Sequence, residues 1–245
     1  MNPKLRSINL SNLNTSKVTD MSYTFASNPL LEDLILDINL TSATTISNLF
    51  ADCPALTNIN FTNNDAPNLT IMSYAFKGCS SLEELRIPEL IGANVTNIEG
   101  MLQECSSLKV LDMPNFLGTK VTNAISLLEK CKSLEVVNLG LNSQLLTMNN
   151  MFNDCSNLRE LRIPNLDTTK TTNMSYAFAN NPKLEILEVG DKFSTESATN
   201  LSCMFYRSPL VNLPLEKIKT DNATSLSGMF QDHPLTAEDF NIIKT

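Results

Sequence analysis

Six cysteines and a single histidine are the side chains of this 245-residue sequence best suited to covalent or metal chemistry. Cysteines in pairs would build a disulfide framework, C-x-x-C pairs a zinc site, and a cysteine beside a histidine a nucleophile. The spacing fits none of these. Cys53, Cys79, Cys105 and Cys131 recur every 26 residues, Cys155 follows 24 later, and no C-x-x-C occurs. Cys203 falls outside the series, and His233 has no second base or ligand in a recognisable motif. Phosphate-cradling glycine loops and a G-x-S-x-G nucleophile elbow are also missing. Acidic pairs such as Glu83-Glu84 read as solvated positions. The expectation is a chain without catalytic residues, metal or cofactor, in which even cysteine spacing reports on architecture.

That architecture is a repeat. The segment Asn173-Met174-Ser175-Tyr176-Ala177-Phe178 matches Ile71-Met72-Ser73-Tyr74-Ala75-Phe76 and Asp20-Met21-Ser22-Tyr23-Thr24-Phe25. Its last apolar residue recurs as Phe25, Phe50, Phe76, Leu102, Leu128, Phe152, Phe178, Phe205 and Phe230, at intervals of 24 to 27. After each anchor comes L-x-x-L-x-L, as in Leu108-x-x-Leu111-x-Met113 and Leu158-x-x-Leu161-x-Ile163. Its alternation predicts a short strand with one buried face. Pro88, Pro114 and Pro164 directly follow and should end it, because proline cannot donate to a ladder. The V-T-N-M segment before each anchor has apolar residues three and four apart (Met174, Ala177, Phe178), the spacing of a helical face. It predicts a short helix capped by Asp20, Asn173 or a neighbouring threonine.

Neither piece can bury its apolar side alone, so the units must stack. The predicted fold class is α/β: a right-handed arc of nine to ten units, about 45 Å long at ~4.8 Å per rung. Its concave side should be a parallel β-sheet and its convex side short helices. Two units depart from the pattern: residues 140–146 lack V-T-N, and Ala124 replaces a methionine. In those two the helix is in question more than the fold.

Cys53, Cys79, Cys105, Cys131 and Cys155 each lie three residues after an anchor. Stacked units make them a column of side chains pointing into the core, and a buried free thiol acts as a small hydrophobe with a weak donor. The expectation is a structural ladder of thiols capping turn carbonyls, without disulfides. Asn28, Asn181, Ser208 and His233 fill the same place in other units.

The combined pattern F-x-x-C-x-x-L-x-x-L-x-L-P-x-L-x-T-x-x-V-T-N-M-x-x-M-F resembles the BspA-like leucine-rich repeats of bacterial surface proteins, in the subset with ~25-residue V-T-N-M repeats. The resemblance covers residues 1–235. It implies a curved leucine-rich-repeat solenoid, displayed on the cell surface or secreted, that binds proteins of a host, a matrix or another microbe. It implies no shared catalytic residue.

Composition agrees. Hydrophobic residues make up 42%, with no tryptophan, so the core must be largely aliphatic. A net charge of −8 without basic clusters argues against nucleic acid and against anionic membranes as partners. No stretch approaches the ~20 apolar residues that span a bilayer, so no membrane insertion is expected of this segment. The N-x-[ST] matches, such as Asn94-Val95-Thr96, are part of the repeat text.

A protein ligand would meet the strand residues lying between the buried ones. These give Glu84, Arg86, Val110, Asp112, Val136, Asn138, Glu160, Arg162 and Glu188 as candidate binding residues. Arg86 beside Asp112 and Arg162 beside Glu188 could form ion pairs around an apolar centre of Val110 and Val136, an arrangement that suits protein recognition. Ordinary β-propensity on a solvated sheet would explain the same residues.

The chain starts mid-repeat, since Asn2-Pro3-Lys4-Leu5 matches Asn181-Pro182-Lys183-Leu184; a longer protein carrying the missing leader is expected. Residues 236–245 are expected to form a capping helix, with a capping-box-like Thr236 to Asp239, and Phe240 and Ile243 over the last rung. Two functions stay open: a surface-displayed adhesion or recognition module, and an intracellular repeat scaffold or adaptor.

Overall fold

The structure, a computed structural model, describes residues 4–10, 12–35, 38–57, 59, 66–85, 94–114, 118–210, 213–236 and 238. Six short strands are present among them: β1 (Ser7–Asn9), β2 (Asp33–Ile35), β3 (Val110–Met113), β4 (Val136–Leu139), β5 (Glu160–Ile163) and β6 (Ile186–Val189). All pair in parallel with the neighbour in sequence, β1 with β2 and β3 through β6 in order. The register follows the repeat: Leu111 lies beside Val137, Val137 beside Leu161, and Leu161 beside Leu187. These four are buried. Pro114 and Pro164 follow directly on β3 and β5. Pro88 lies outside the described residues. After β6 the pattern changes: Pro214 leads into one 3-10 turn, Leu215–Lys217.

The short helices expected opposite the strands are not there. Each V-T-N-M segment is instead a run of turns hydrogen-bonded to the next rung. The amides of Ile46, Asn48, Phe50 and Asp52 donate to the carbonyls of Ile71, Ser73, Ala75 and Lys77 (2.7 to 3.0 Å), and those between, Leu49 and Ala51, fold back to Ile46 and Asn48 (both 3.1 Å). Every backbone donor in the run thus has a partner without an i→i−4 bond. Alternation of this kind requires a left-handed residue at every fourth position, here Asn48 (φ 55) and Asp52 (φ 58). The equivalents run from Tyr23 and Ser27 to Gly228 and Asp232. Such residues are unfavourable inside an α-helix but meet the third position of a type II turn. Parallel bridges join Asp20, Thr45, Ile71, Asn97, Asn123, Thr147, Asn173, Asn200 and Ser225 in series. The two irregular units, at Asn123 and Thr147, join this ladder like the rest.

The V-T-N triplet can now be read residue by residue. The valines, Val95 and Val121, are buried. The threonines face outward and stitch rungs together. Thr70 donates both its amide (2.9 Å) and its hydroxyl (3.0 Å) to the Thr44 carbonyl, and Thr96 does the same to Thr70. The asparagine side chain accepts from the amide two residues on, as Asn173 does from Ser175 (3.0 Å) and Asn97 from Glu99 (2.9 Å). Asp20 accepts likewise from Ser22 (2.8 Å). The expected N-caps therefore do accept backbone hydrogen bonds, but as Asx-turns that open the turn ladder rather than a helix.

The core lies between the two ladders. Anchor rings stack along it: Phe25 on Phe50 on Phe76, and Phe152 on Phe178 on Phe205 on Phe230, with centroids 5.4 to 5.9 Å apart and planes within 15°. Leu102 and Leu128 occupy the same place between the two stacks and are fully buried. Of the expected capping helix only Thr236 and Glu238 are described, both exposed; Ala237, Asp239, Phe240 and Ile243 lie outside the described residues.

Close stacking leaves no room for a side chain at some corners. A Cβ at Gly140 would lie 1.8 Å from the carbonyl oxygen of Pro114 on the preceding rung. Because that obstacle is backbone, Gly140→Ala should destabilise the chain by roughly 1–3 kcal/mol, as overpacking does. Equilibrium denaturation by urea measures this; an unchanged midpoint would contradict the packing described.

Candidate functional site

Strand residues with odd and even positions face opposite ways, so β3–β6 present two outward columns. One is Val110, Val136, Glu160 and Ile186, and the other is Asp112, Asn138, Arg162 and Glu188. In the first, Val110 is 50% exposed and Ile186 42%, and Val136 is half-buried. In the second, the side-chain amide of Asn138 donates to Asp112 (2.8 Å). Arg162 bridges two acids, Glu160 on its own strand (2.5 Å) and Glu188 on the next (3.4 Å). The result is an apolar column, interrupted by Glu160, along one edge of a charged, hydrogen-bonded one.

The two predicted ion pairs fare differently. Arg162–Glu188 is present, with Glu160 as a further partner. Arg86 lies outside the described residues, and the described partner of Asp112 is Asn138. Glu84 is exposed on the rung before β3, where neighbouring Glu83 pairs with Lys109 (2.9 Å). The hydrogen bond to Glu83, and then its charge, hold the Lys109 ammonium above its usual range. Ile186 did not stand out in the sequence, although its column was legible from the L-x-x-L-x-L alternation; its register partner is Glu160.

The five spaced cysteines are fully buried. Each thiol donates to the carbonyl of the anchor on the preceding rung: Cys53 to Phe25 (3.0 Å), Cys79 to Phe50 (3.3 Å), Cys105 to Phe76 (3.2 Å), Cys131 to Leu102 (3.1 Å) and Cys155 to Leu128 (3.1 Å). In other units Asn181 donates to Phe152 (2.9 Å) and Ser208 to Phe178 (2.6 Å). The position thus selects for a small side chain with a donor, which gives the buried anchor carbonyl a second hydrogen bond beside the one that Phe76, Leu102 and Leu128 accept from the amide three residues on. Burial pushes the thiols of Cys79 and Cys131 well above their ordinary range and those of Cys105 and Cys155 to about 12; Cys53 is raised as well. A thiol held neutral is neither a nucleophile nor a metal ligand at neutral pH. Among the described residues no three His, Cys, Asp or Glu side chains converge on a point where a metal ion could sit. His233 packs edge-on against Phe230, centroids 5.9 Å apart, at the end of the ring stack. Cys203 stands apart, half-buried on the turn ladder with its thiol 3.4 Å from the Ser227 carbonyl.

With parallel strands, a stacked repeat and no catalytic cluster among the described residues, comparison with known proteins becomes informative. The family model described as "Mycoplasma protein of unknown function, DUF285" matches residues 2–84, 44–140 and 138–242. The chain belongs to this family. In structure it is similar to a leucine-rich repeat protein from Eubacterium ventriosum, at 14% identity over 96% of this chain and 76% of that one, with a TM-score of 0.50. A leucine-rich repeat protein from Bacteroides ovatus also matches, at 23% identity over 67% of this chain and 45% of that one, with a TM-score of 0.33. No curated protein matches in sequence. The fold of this DUF285 chain is therefore of the leucine-rich-repeat kind, with turn ladders where helices were expected. No helix among its described residues is long and apolar enough to cross a membrane.

Thiol chemistry checks the burial directly. With the folded chain in excess thiol reagent at neutral pH, Cys203 should react in a fast phase and the other five only on unfolding. A second fast thiol would contradict the buried column.

Proposed function

We propose that this chain is a non-catalytic protein-recognition module whose ligand lies across the strand face. The observation that carries this reading is the outward pair of columns on β3–β6. An apolar pair, Val110 and Val136, followed by Glu160 and then Ile186, runs beside Asp112, Asn138, Arg162 and Glu188. Exposed apolar residues rimmed by satisfied charges supply what protein interfaces use, a desolvated centre and a polar border. Glu84 and Arg86 extend the surface toward the N-terminal rungs in this reading. A net charge of −8 favours a protein partner over nucleic acid.

In this reading the arc is right-handed, with nine to ten units and the strand face concave. The five-cysteine column is structural, fixing anchor carbonyls rather than binding anything. The resemblance to BspA-like repeats supports display at the cell surface or secretion, with adhesion to a host, matrix or microbial protein as the role.

The test is a pull-down from host and bacterial extracts with the native chain, Val110→Asp and Arg162→Glu. Both sites are outward on the sheet, so both variants should fold. Partners captured by the native chain should bind the variants at least about tenfold more weakly, the loss expected at an interface centre. Equal capture by all three would remove the strand face from consideration.

A further inference from the structure

A second surface lies away from the strand face. A groove of 680 Å³ crosses five consecutive rungs, at the corner where the turn ladder hands over to the strand. Its floor is barest at Gly78, a left-handed position with φ +70. A Cβ there would lie 3.0 Å from Oδ1 of Asp52, so the Asp52 carboxylate leans into the place a side chain at Gly78 would take. Pro29 and Pro54 form the apolar wall at this end.

The charges in the groove are unevenly matched. Lys130 pairs with Glu104 (3.3 Å) and Lys132 with Asp154 (3.7 Å), all four side chains at least a third exposed. Asp52 has no cation within reach among the described residues. The groove therefore offers a carboxylate without a paired cation over Gly78 toward one end and two exposed, acid-paired ammonium groups at the other. Asp52 and Lys132 are three rungs apart, about 14 Å at ~4.8 Å per rung, which is the span of about four residues of extended chain. The whole groove spans about 19 Å, or about six residues.

We propose that this groove docks an extended peptide segment of a protein partner, with a basic side chain against Asp52 over Gly78. A carboxylate about four residues away meets Lys130 and Lys132. Charges of both signs at a fixed separation match a polypeptide, whose side chains carry both. Electrostatic complementarity of this kind chooses among partners more than it adds affinity. The site is separate from the strand face, and neither reading depends on the other.

The test uses the column's own substitutions, since Lys130 and Glu104 already occupy the left-handed place that Asp52 holds (φ 64, 66 and 58). Asp52→Lys and the pair Lys130→Glu with Lys132→Glu should therefore fold. Four capped, proline-containing six-residue peptides are titrated by fluorescence anisotropy at low salt. One carries arginine and glutamate four residues apart, one two arginines, one two glutamates, and one no charge. The native chain should prefer the arginine–glutamate peptide by about tenfold over the neutral one. Asp52→Lys should transfer that preference to the two-glutamate peptide, and the double lysine variant to the two-arginine peptide. Arg162→Glu on the strand face should leave the native preference unchanged. Failure of the native chain to discriminate, or a preference that ignores the reversals, would overturn the proposal.

Discussion

The amide of Phe50 donates to the carbonyl of Ala75 at 2.8 Å, and that of Phe76 to Met101 at 3.0 Å; the same bond repeats down the stack of anchors. Everything else follows from it. A backbone that gives alternate donors to the next rung cannot coil on itself, so each rung is narrow enough to stack at sheet spacing on both sides. Anchor rings then lie parallel within 6 Å, and the carbonyls beside them turn inward, away from solvent. A buried acceptor needs a donor, and a cysteine, serine or asparagine three residues after an anchor supplies one. The thiols are thus a consequence of how the turn ladder aims its carbonyls.

The same constraint shapes both outer surfaces. Parallel strands in strict register bring like positions of successive units side by side, so substitutions within a unit write a column rather than scattered points. Val110 and Val136 become an apolar pair because they are equivalents, with Glu160 between them and Ile186, and Arg162 reaches acids on its own and the next strand. At the corner, Gly78 stands where the neighbouring units carry Asp52 and Glu104, and all three line the groove.

The repeat, the strands and their outward columns were legible in the sequence because alternation of period two has one reading once prolines mark the strand ends. The turn ladder was not. Met174, Ala177 and Phe178 have helical spacing, and a chain of turns with left-handed residues every fourth place buries the same set. What separates the two is the intervening residues. Asn48 and Asp52, Asn150 and Asp154, and Gly78, Gly100 and Gly228 all sit at left-handed places that favour glycine, asparagine and aspartate. That signal was diluted by Tyr23, Tyr74, Glu104, Lys130 and Arg207 at equivalent places, which stacking holds there against their own preference. The groove was hidden for the same reason, since its walls are neighbours only through that backbone.

The most direct test of this account is scalar coupling across hydrogen bonds, measured by NMR on the deuterated chain. The Phe50 amide should couple to the carbonyl of Ala75 and the Phe152 amide to that of Ala177, 25 residues away in each case. Coupling of Phe50 to the carbonyl of Ile46, four residues back, would mean a helix and would contradict the turn ladder on which the core, the thiol column and the groove rest.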